Sequence, residues 1–167
     1  MCNDKLQECM KESKVEWKIT KYASDQEYKE GKSYETVVID GNILLNEGIN
    51  EFWTLACGSS GTKFDATNAY IGVGDSNTAE DATQTGLQAV TNKLYKAMDA
   101  GFPTYGTSQK STWQATFLSA EANFSWQEFT VANGNSDSAT NLNRKVSNQS
   151  TKVAGQIWVC NLAITLS

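Results

Sequence analysis

The sequence predicts a mainly β protein, an antiparallel β-sandwich-like domain with one or two short helices and an N-terminal arm. Apolar and polar side chains alternate in two runs in the last third of the chain, residues 112–117 and 124–131. Alternation gives a strand one face for a core and one for water. The phase changes at Gln127 and Glu128, which indicates a β-bulge. Residues 133–137, rich in Asn and Gly, are typical of a tight reversal.

Six further segments have the composition or alternation of strands: residues 15–20, 36–39, 69–74, 93–98, 142–146 and 157–166. The first two are expected to form a hairpin around the polar segment 23–33. Residues 99–106 are expected to form a loop. The pattern is that of an antiparallel sheet, which serves first as a scaffold.

Residues 43–55 change period and predict a helix. Leu45, Ile49, Phe52 and Trp53 recur at the spacing of one helix face. Asn42 is the expected N-cap, and Gly58 is expected to end the helix in the left-handed conformation. Gly48 weakens such a helix by about 1 kcal/mol relative to Ala, so tertiary packing must hold it. Residues 78–81 have capping-box spacing and predict one or two further helical turns.

The chain has 167 residues, of which 40% are hydrophobic, enough for one domain with a real core. We predict a flexible arm at residues 1–14 and a single β-rich domain at residues 15–167. Within the arm, only Leu6, Cys9 and Met10 are apolar residues at roughly helical spacing. Ordering such an arm on contact with a neighbouring subunit would trade its conformational entropy for buried area.

The net charge of −5 opposes nucleic-acid binding and favours a partner with a basic surface. Five basic residues of the domain are too scattered to predict a basic face: Lys93, Lys96, Arg144, Lys145 and Lys152. The sequence contains no run of about 18 apolar residues, so no membrane-spanning segment is predicted. The polar N-terminus lacks the apolar stretch of a secretory signal, so synthesis in the cytoplasm is expected.

The sequence contains no histidine, which removes Ser-His-Asp triads, Cys-His pairs and His-containing metal sites. Carboxylate chemistry would have to use Asp75, Glu80, Asp81, Asp99, Glu121 or Glu128, which we interpret as solvated surface acids. The segment Gly72-Val73-Gly74-Asp75-Ser76 lacks the glycine and lysine spacing of phosphate loops and is interpreted as a strand turning into a capped helix. Residues 75–79 lack the acidic and glycine positions of a calcium loop. We therefore predict no enzyme, with no catalytic, cofactor-binding or metal residues and no cofactor.

The four cysteines form no C-x-x-C pair, which argues against a zinc or dithiol centre. Cys57 and Cys160 lie in apolar surroundings and are predicted to be buried thiols. Cys2 and Cys9 lie on the arm.

The aromatic residues divide into two groups. Tyr70, Trp113, Trp126 and Trp158 are predicted core residues. Trp17, Trp53, Tyr95, Phe102 and Tyr105 are the candidates for a partner surface.

Several blocks occur in an order that resembles a group of small tailed-bacteriophage structural proteins: residues 41–50, 69–76, 96–99, 122–128, 142–146 and the closing strand. The resemblance covers roughly residues 36–167. It implies a virion component with a β-sandwich-like body, of the kind found among capsid decoration, head-fibre and tail-associated proteins. It transfers no catalytic or ligand residue.

The leading functional expectation is a capsid decoration or cementing protein, assembled into the virion in the host bacterial cytoplasm. Its expected partners are the major capsid protein or other virion proteins and further copies of itself, with no nucleic acid and no membrane. Residues 1–34 are the expected inter-subunit contact. Two alternatives stay open: a tail, collar or fibre-base component, and a host-surface carbohydrate-binding module using Trp53, Phe102 or Tyr105.

Overall fold

The chain forms two antiparallel sheets of five strands each, which pack against one another. The computed structural model describes residues 14–166. The strands are β1 (Lys14–Tyr22), β2 (Glu35–Asp40), β3 (Ile43–Leu44), β4 (Tyr70–Gly74), β5 (Lys93–Ala97), β6 (Thr104–Thr107), β7 (Lys110–Phe117), β8 (Glu128–Ala132), β9 (Asn143–Val146) and β10 (Ile157–Thr165), and the helices are α1 (Asp25–Glu30) and α2 (Asn46–Cys57). The first sheet has the order β2-β1-β10-β7-β6 and the second β3-β9-β8-β4-β5. The predicted mainly β, sandwich-like fold with two short helices is confirmed.

The core lies between the sheets and is rich in aromatic side chains. Strands β1, β7 and β10 contribute Trp17, Ile19, Trp113, Ala115, Phe117, Trp158, Cys160 and Leu162, and β4 and β8 contribute Ile71, Val73, Phe129 and Val131. At the centre, the ring of Trp126 lies 4.7 Å from that of Phe117 and 4.9 Å from that of Trp158, both edge to face. Full burial of each such side chain contributes on the order of 1.5–3 kcal/mol, so the aromatic cluster anchors the two layers.

The strands follow the predicted segments closely, with two differences. The β1–β2 hairpin is confirmed, with Glu16 opposite Asp40. The phase change predicted as a bulge at Gln127 and Glu128 lies at the start of β8: Glu128 pairs with Val146 but Ser125 pairs with Thr151, so the pairing register shifts there. The loop predicted at residues 99–106 is wrong over its last three residues, which belong to strand β6. A turn at Ser108 and Gln109, both at positive φ, joins β6 to β7.

The helix predicted at residues 43–55 exists as α2 but begins three residues later. Ile43 and Leu44 instead pair with β9 as strand β3, so Leu45 takes the N-cap position without a side-chain hydrogen bond. The predicted Asn42 cap is therefore wrong. Gly58 follows the helix with φ −108°, so its predicted left-handed conformation is also wrong.

Two short segments also differ from prediction. Residues 78–81 are irregular, and the helical turns expected there are wrong. Helix α1 lies within the segment expected to be only polar, and Ser24 caps it by accepting the Glu27 backbone N–H at 3.2 Å. The predicted arm lies outside the described residues except for Lys14, which begins β1 opposite Thr165.

Candidate functional site

The surface contains an apolar groove, here called the α2 groove, with a volume of about 690 Å³. Helix α2 forms one wall, the β6–β7 hairpin the other, and the end of β10 closes one side. The lining residues are Leu44, Ile49, Phe52, Trp53, Leu55, Ala56, Phe64, Gly106, Gln109, Lys110, Ser111, Trp113, Leu142, Ile164 and Leu166. Nearly all are apolar, so the groove is suited to an apolar segment of a partner.

Backbone contacts at its first turn hold helix α2 in place. The Leu45 N–H donates to the Leu142 carbonyl at 3.1 Å, and the Asn46 N–H donates to the Ala82 carbonyl at 2.8 Å. The Glu47 carboxylate accepts the Asn141 N–H at 2.8 Å. Gly48 is the buried residue of the helix. The helix is thus attached at its beginning, mainly by hydrogen bonds and by close backbone contact.

The apolar side chains of α2 remain open to solvent. Trp53 is 58% exposed, Phe52 is 49% exposed and Ile49 is 37% exposed, and the Phe52 and Trp53 rings lie edge to face at 5.8 Å. A cluster of large exposed apolar side chains at the rim of a groove is typical of a protein-interaction site. Of the face expected from periodicity, Leu45 is fully buried, whereas Ile49, Phe52 and Trp53 line the groove.

The predicted division of the aromatic residues between core and surface is confirmed only in part. Trp113, Trp126 and Trp158 are buried in the core, whereas Tyr70 is only half-buried. Of the partner-surface candidates, Trp53 and Tyr105 are exposed, and Tyr105 precedes Gly106 of the groove wall. Tyr95 and Phe102 are half-buried. The prediction that Trp17 lies on the surface is wrong, because its side chain packs against Phe129, with the ring centres 5.6 Å apart.

Tyr95 belongs to a polar contact on the second sheet. Its hydroxyl donates to Asp137 at 3.1 Å, and burial, together with the negative charge of Asp137, raises the pKa of the phenol. The same Asp137 pairs with Lys93 at 2.5 Å. The contact ties the loop after β8 to β5.

One of the six candidate carboxylates, Glu128, is fully buried. Glu128 accepts the N–H groups of Gln88 at 2.9 Å and Ala89 at 2.7 Å, and Arg144 contacts it at 2.8 Å. The interpretation of Glu128 as a solvated acid is wrong, because its ion pair with a fully buried Arg144 replaces water. Arg144 also donates to the Thr78 carbonyl at 2.9 Å, so this pair fastens the loop after β4 to the sheet.

Glu121 and Lys152 hold the turn after β7. Burial opposes ionisation of Glu121, but its hydrogen bonds from Lys96 at 2.6 Å and from the Leu118 N–H outweigh burial and lower its pKa. Lys152 is buried, and burial lowers its pKa to about 8 although the Glu121 charge opposes this. Its ammonium donates to Leu118, Glu121 and Asn123 oxygens at 2.8–3.0 Å, as a structural clamp does.

The two glycines of the Gly72-Val73-Gly74 segment serve packing. A Cβ at Gly72 would lie 2.7 Å from the Tyr95 ring and from Thr130, and one at Gly74 would lie 2.5 Å from the Glu128 carboxylate. Because glycine has no side chain, the side chains of these neighbours can pack directly against the β4 backbone. Because residues 78–81 are not helical, the interpretation as a strand entering a capped helix holds only for the strand.

The described residues contain two cysteines, and these differ in exposure. Cys160 is buried, as predicted, and burial raises the pKa of its thiol, whereas Cys57 is exposed and its predicted burial is wrong. Among residues 14–166, no three Cys, Asp or Glu side chains are grouped as a metal ion would require. In the same part of the chain, neither helix has the length and apolar character needed to cross a membrane.

Comparison with protein-family models, with curated proteins and with solved structures gives no match for this chain. Any function of the α2 groove must therefore be inferred from its geometry. The sequence indicated Trp53 and Tyr105 as surface residues but not Ile49, Phe52 and Leu166. The available signal was the apolar face of α2, but periodicity alone does not show whether a face meets the core or a partner.

Proposed function

We propose that this protein is a non-enzymatic structural component that acts by binding other protein subunits through the α2 groove. The observation that carries the proposal is the exposed apolar face of α2, with Phe52 and Trp53 beside a groove of about 690 Å³. Aromatic anchors that fill or border such grooves supply most of the affinity in protein interfaces. The net charge of −5 favours a partner whose surface around the apolar contact is basic.

More specifically, we propose a capsid decoration or cementing protein of a tailed-phage virion that binds the outer shell as a homo-oligomer. The resemblance of residues 36–167 to small tailed-phage structural proteins supports this assignment. A stable sandwich whose buried charged groups pair within the chain suits a protein present in many copies. A tail, collar or fibre-base component is the alternative within the same class.

Quantitative mass spectrometry of purified particles tests the virion assignment. A decoration protein is expected at a copy number that scales with the shell subunits, whereas a tail or collar protein is present in few copies. Absence of the protein from washed particles would refute both. Deleting residues 1–14 tests the predicted inter-subunit role of the arm, which fails if incorporation and particle stability stay unchanged.

Substitution in the groove tests the contact surface. Trp53→Ser is expected to weaken incorporation about tenfold or more, because loss of an aromatic anchor costs about 2 kcal/mol or more of binding free energy. Val90→Ser is the matched control, since Val90 is 87% exposed and does not line the groove. Equal incorporation of both variants, with thermal unfolding unchanged, would remove the α2 groove from the contact.

The carbohydrate-binding alternative is favoured by one observation, the exposed rings of Trp53 and Tyr105. Sugar recognition also requires polar groups placed beside the ring, and the groove around Trp53 is almost wholly apolar. Phe102, the third candidate, is half-buried. Glycan binding by the purified protein that is lost in Trp53→Ala with folding intact would support this alternative over subunit binding.

A further inference from the structure

Strand β2 lies at an open edge of the first sheet. Among residues 14–166, it pairs with β1 on one side and with no strand on the other. Glu35, Thr36, Val38 and Asp40 are exposed, and Val38 is 53% exposed. An open strand edge presents unpaired backbone N–H and C=O groups, which form a template for pairing with another chain.

The other edge strands of the two sheets are poor templates for such pairing. Strand β3 has two residues, and β6 has four, with a shift of pairing register between Thr104 and Thr107. Strand β5 carries Lys93 and Lys96. Very short strands, irregular pairing and lysines are features by which proteins block edge-to-edge association. Strand β2 has six residues, without lysine or proline, so it is the edge best suited to pairing in the described part of the chain.

The hydrogen bonds of the β1–β2 hairpin show which backbone groups of β2 face the open edge. In an antiparallel pair, opposite residues alternate between pairs that exchange both backbone hydrogen bonds and pairs that exchange none. The Gly41 N–H donates to the Val15 carbonyl at 2.8 Å, so the odd-numbered residues of β2 bond to β1. The N–H and C=O groups of Thr36, Val38 and Asp40 therefore point away from β1.

We propose that β2 pairs antiparallel with β2 of a second copy of this chain, about a two-fold axis at Val38. Thr36 of each copy then lies opposite Asp40 of the other, and the outward backbone groups of all three residues exchange hydrogen bonds across the axis. The first sheets of the two copies become one continuous sheet. This pairing specifies the interface of the homo-oligomer in the proposed function, and only its place on the particle rests on that function.

A second copy fits this edge because the sequence of β2 is nearly symmetric about Val38. The apolar residues Val37 and Ile39 flank Val38, and the polar residues Thr36 and Asp40 flank those. A closed two-fold contact requires such self-complementarity, since each surface meets its own copy. In the pair, the Thr36 hydroxyl is placed to donate to the Asp40 carboxylate of the other copy, which is a favourable contact between opposite strands.

The acidic residues of β2 do not oppose this pairing. In the two-fold register Glu35 lies opposite Gly41 of the second copy and Asp40 lies opposite Thr36, so no acid faces another acid. Like charges directly opposite each other would destabilise the pair. Within its own chain, Glu35 also accepts a hydrogen bond from the Lys21 ammonium at 2.7 Å. The charges at the edge are therefore compatible with a second copy.

Substitution of Val38 tests the register, because Val38 is the residue that lies opposite its own copy. Val38→Lys and Val38→Glu each place two like charges at the axis and are expected to raise the dissociation constant of the dimer about tenfold. An equimolar mixture of the two variants places Lys opposite Glu and is expected to dimerise more tightly than either variant alone. Sedimentation velocity of the purified full chain measures all of these states.

Val38→Pro is a second test that adds no charge. It removes the N–H that donates across the axis in both copies while leaving the bonds between β1 and β2, and is expected to raise the dissociation constant at least about tenfold. Val90→Lys is the matched control, because Val90 is 87% exposed and lies outside β2. It should leave the dissociation constant unchanged, and all variants should unfold at temperatures close to that of the parent.

Three results would each overturn the pairing: a parent chain that is monomeric at about 100 μM, dimers that Val38→Lys leaves intact, or a mixture that associates no better than its components. A monomeric parent would leave the edge to a strand of a different protein. Absence of the protein from washed particles would refute the virion assignment without changing these results on the purified chain. Conversely, failure of the edge pairing would leave binding through the α2 groove to be decided by Trp53→Ser.

Discussion

Replacing Gly48 with Ala tests whether close backbone contact positions helix α2. A Cβ at this position would lie 2.5 Å from both the Cα and the carbonyl oxygen of Leu142, and 2.6 Å from the Asn141 carbonyl oxygen. These are backbone atoms, and the Leu142 N–H is itself bound to the Val131 carbonyl at 2.7 Å. The neighbouring chain therefore has no side-chain rotation with which to make room.

Two opposing effects decide whether Gly48→Ala raises or lowers the free energy of unfolding. Alanine in place of glycine improves helix propensity by about 1 kcal/mol. Forcing a methyl group into a packed site costs about 1–3 kcal/mol, and the fixed backbone of Leu142 places this site at the upper end. We expect Gly48→Ala to lower the free energy of unfolding by about 2 kcal/mol, which corresponds to about 4–8 °C in Tm for a chain of this size.

The assay is urea unfolding followed by far-UV circular dichroism, with Asn50→Ala as the matched control. Asn50 lies on the exposed side of the same helix, two residues away, so Ala there should add up to about 0.7 kcal/mol of stability through propensity alone. The two substitutions should therefore change stability in opposite directions. A Gly48→Ala protein as stable as the parent or more stable would refute the close approach of α2 to Leu142.

Two further predictions concern buried groups. Arg144→Met should destabilise the protein by about 3–5 kcal/mol in urea unfolding, because it leaves the buried Glu128 charge without its cation; adding Glu128→Gln should recover part of the loss, and strict additivity would contradict the pairing. Cys160→Ala should respond differently to pH from the parent. Burial raises the pKa of the Cys160 thiol, so above the ordinary value of 9.0 the unfolded chain loses a proton that the folded chain retains. The difference in free energy of unfolding between the parent and Cys160→Ala is then constant well below pH 9.0. Above pH 9.0 it shifts against the parent by about 1.4 kcal/mol per pH unit. A difference between the two proteins that stays constant from pH 7.5 to 10.5 would contradict this.

The sequence predicted the long strands well because their signal is local. Residues 112–117 and 157–166 alternate over enough positions to define a buried face, and the structure contains them as β7 and β10. Strand β6 and helix α1 were missed because neither has a buried residue, so no apolar face marks them in the sequence. The presence of a buried face, more than segment length, decided which elements could be predicted.

Tertiary contacts explain the errors at individual residues. Glu128 resembles a surface acid in sequence, and its burial depends on Arg144, sixteen residues further along the chain, and on the space that Gly74 leaves for its carboxylate. Cys57 resembles a core residue because apolar neighbours surround it in sequence. Those neighbours belong to the helix face that lines the groove, so the thiol at the end of that face is exposed.

The way in which α2 is attached explains why the groove exists at all. A short amphipathic helix is usually held by burying its apolar face, which then has no further use. Here the backbone contact at Gly48 and the hydrogen bonds of Leu45, Asn46 and Glu47 hold the helix, while the side chains one and two turns later stay exposed. Attachment and recognition thus use different parts of the same helix. The exposed part of the apolar face is therefore open to a partner while the body stays folded.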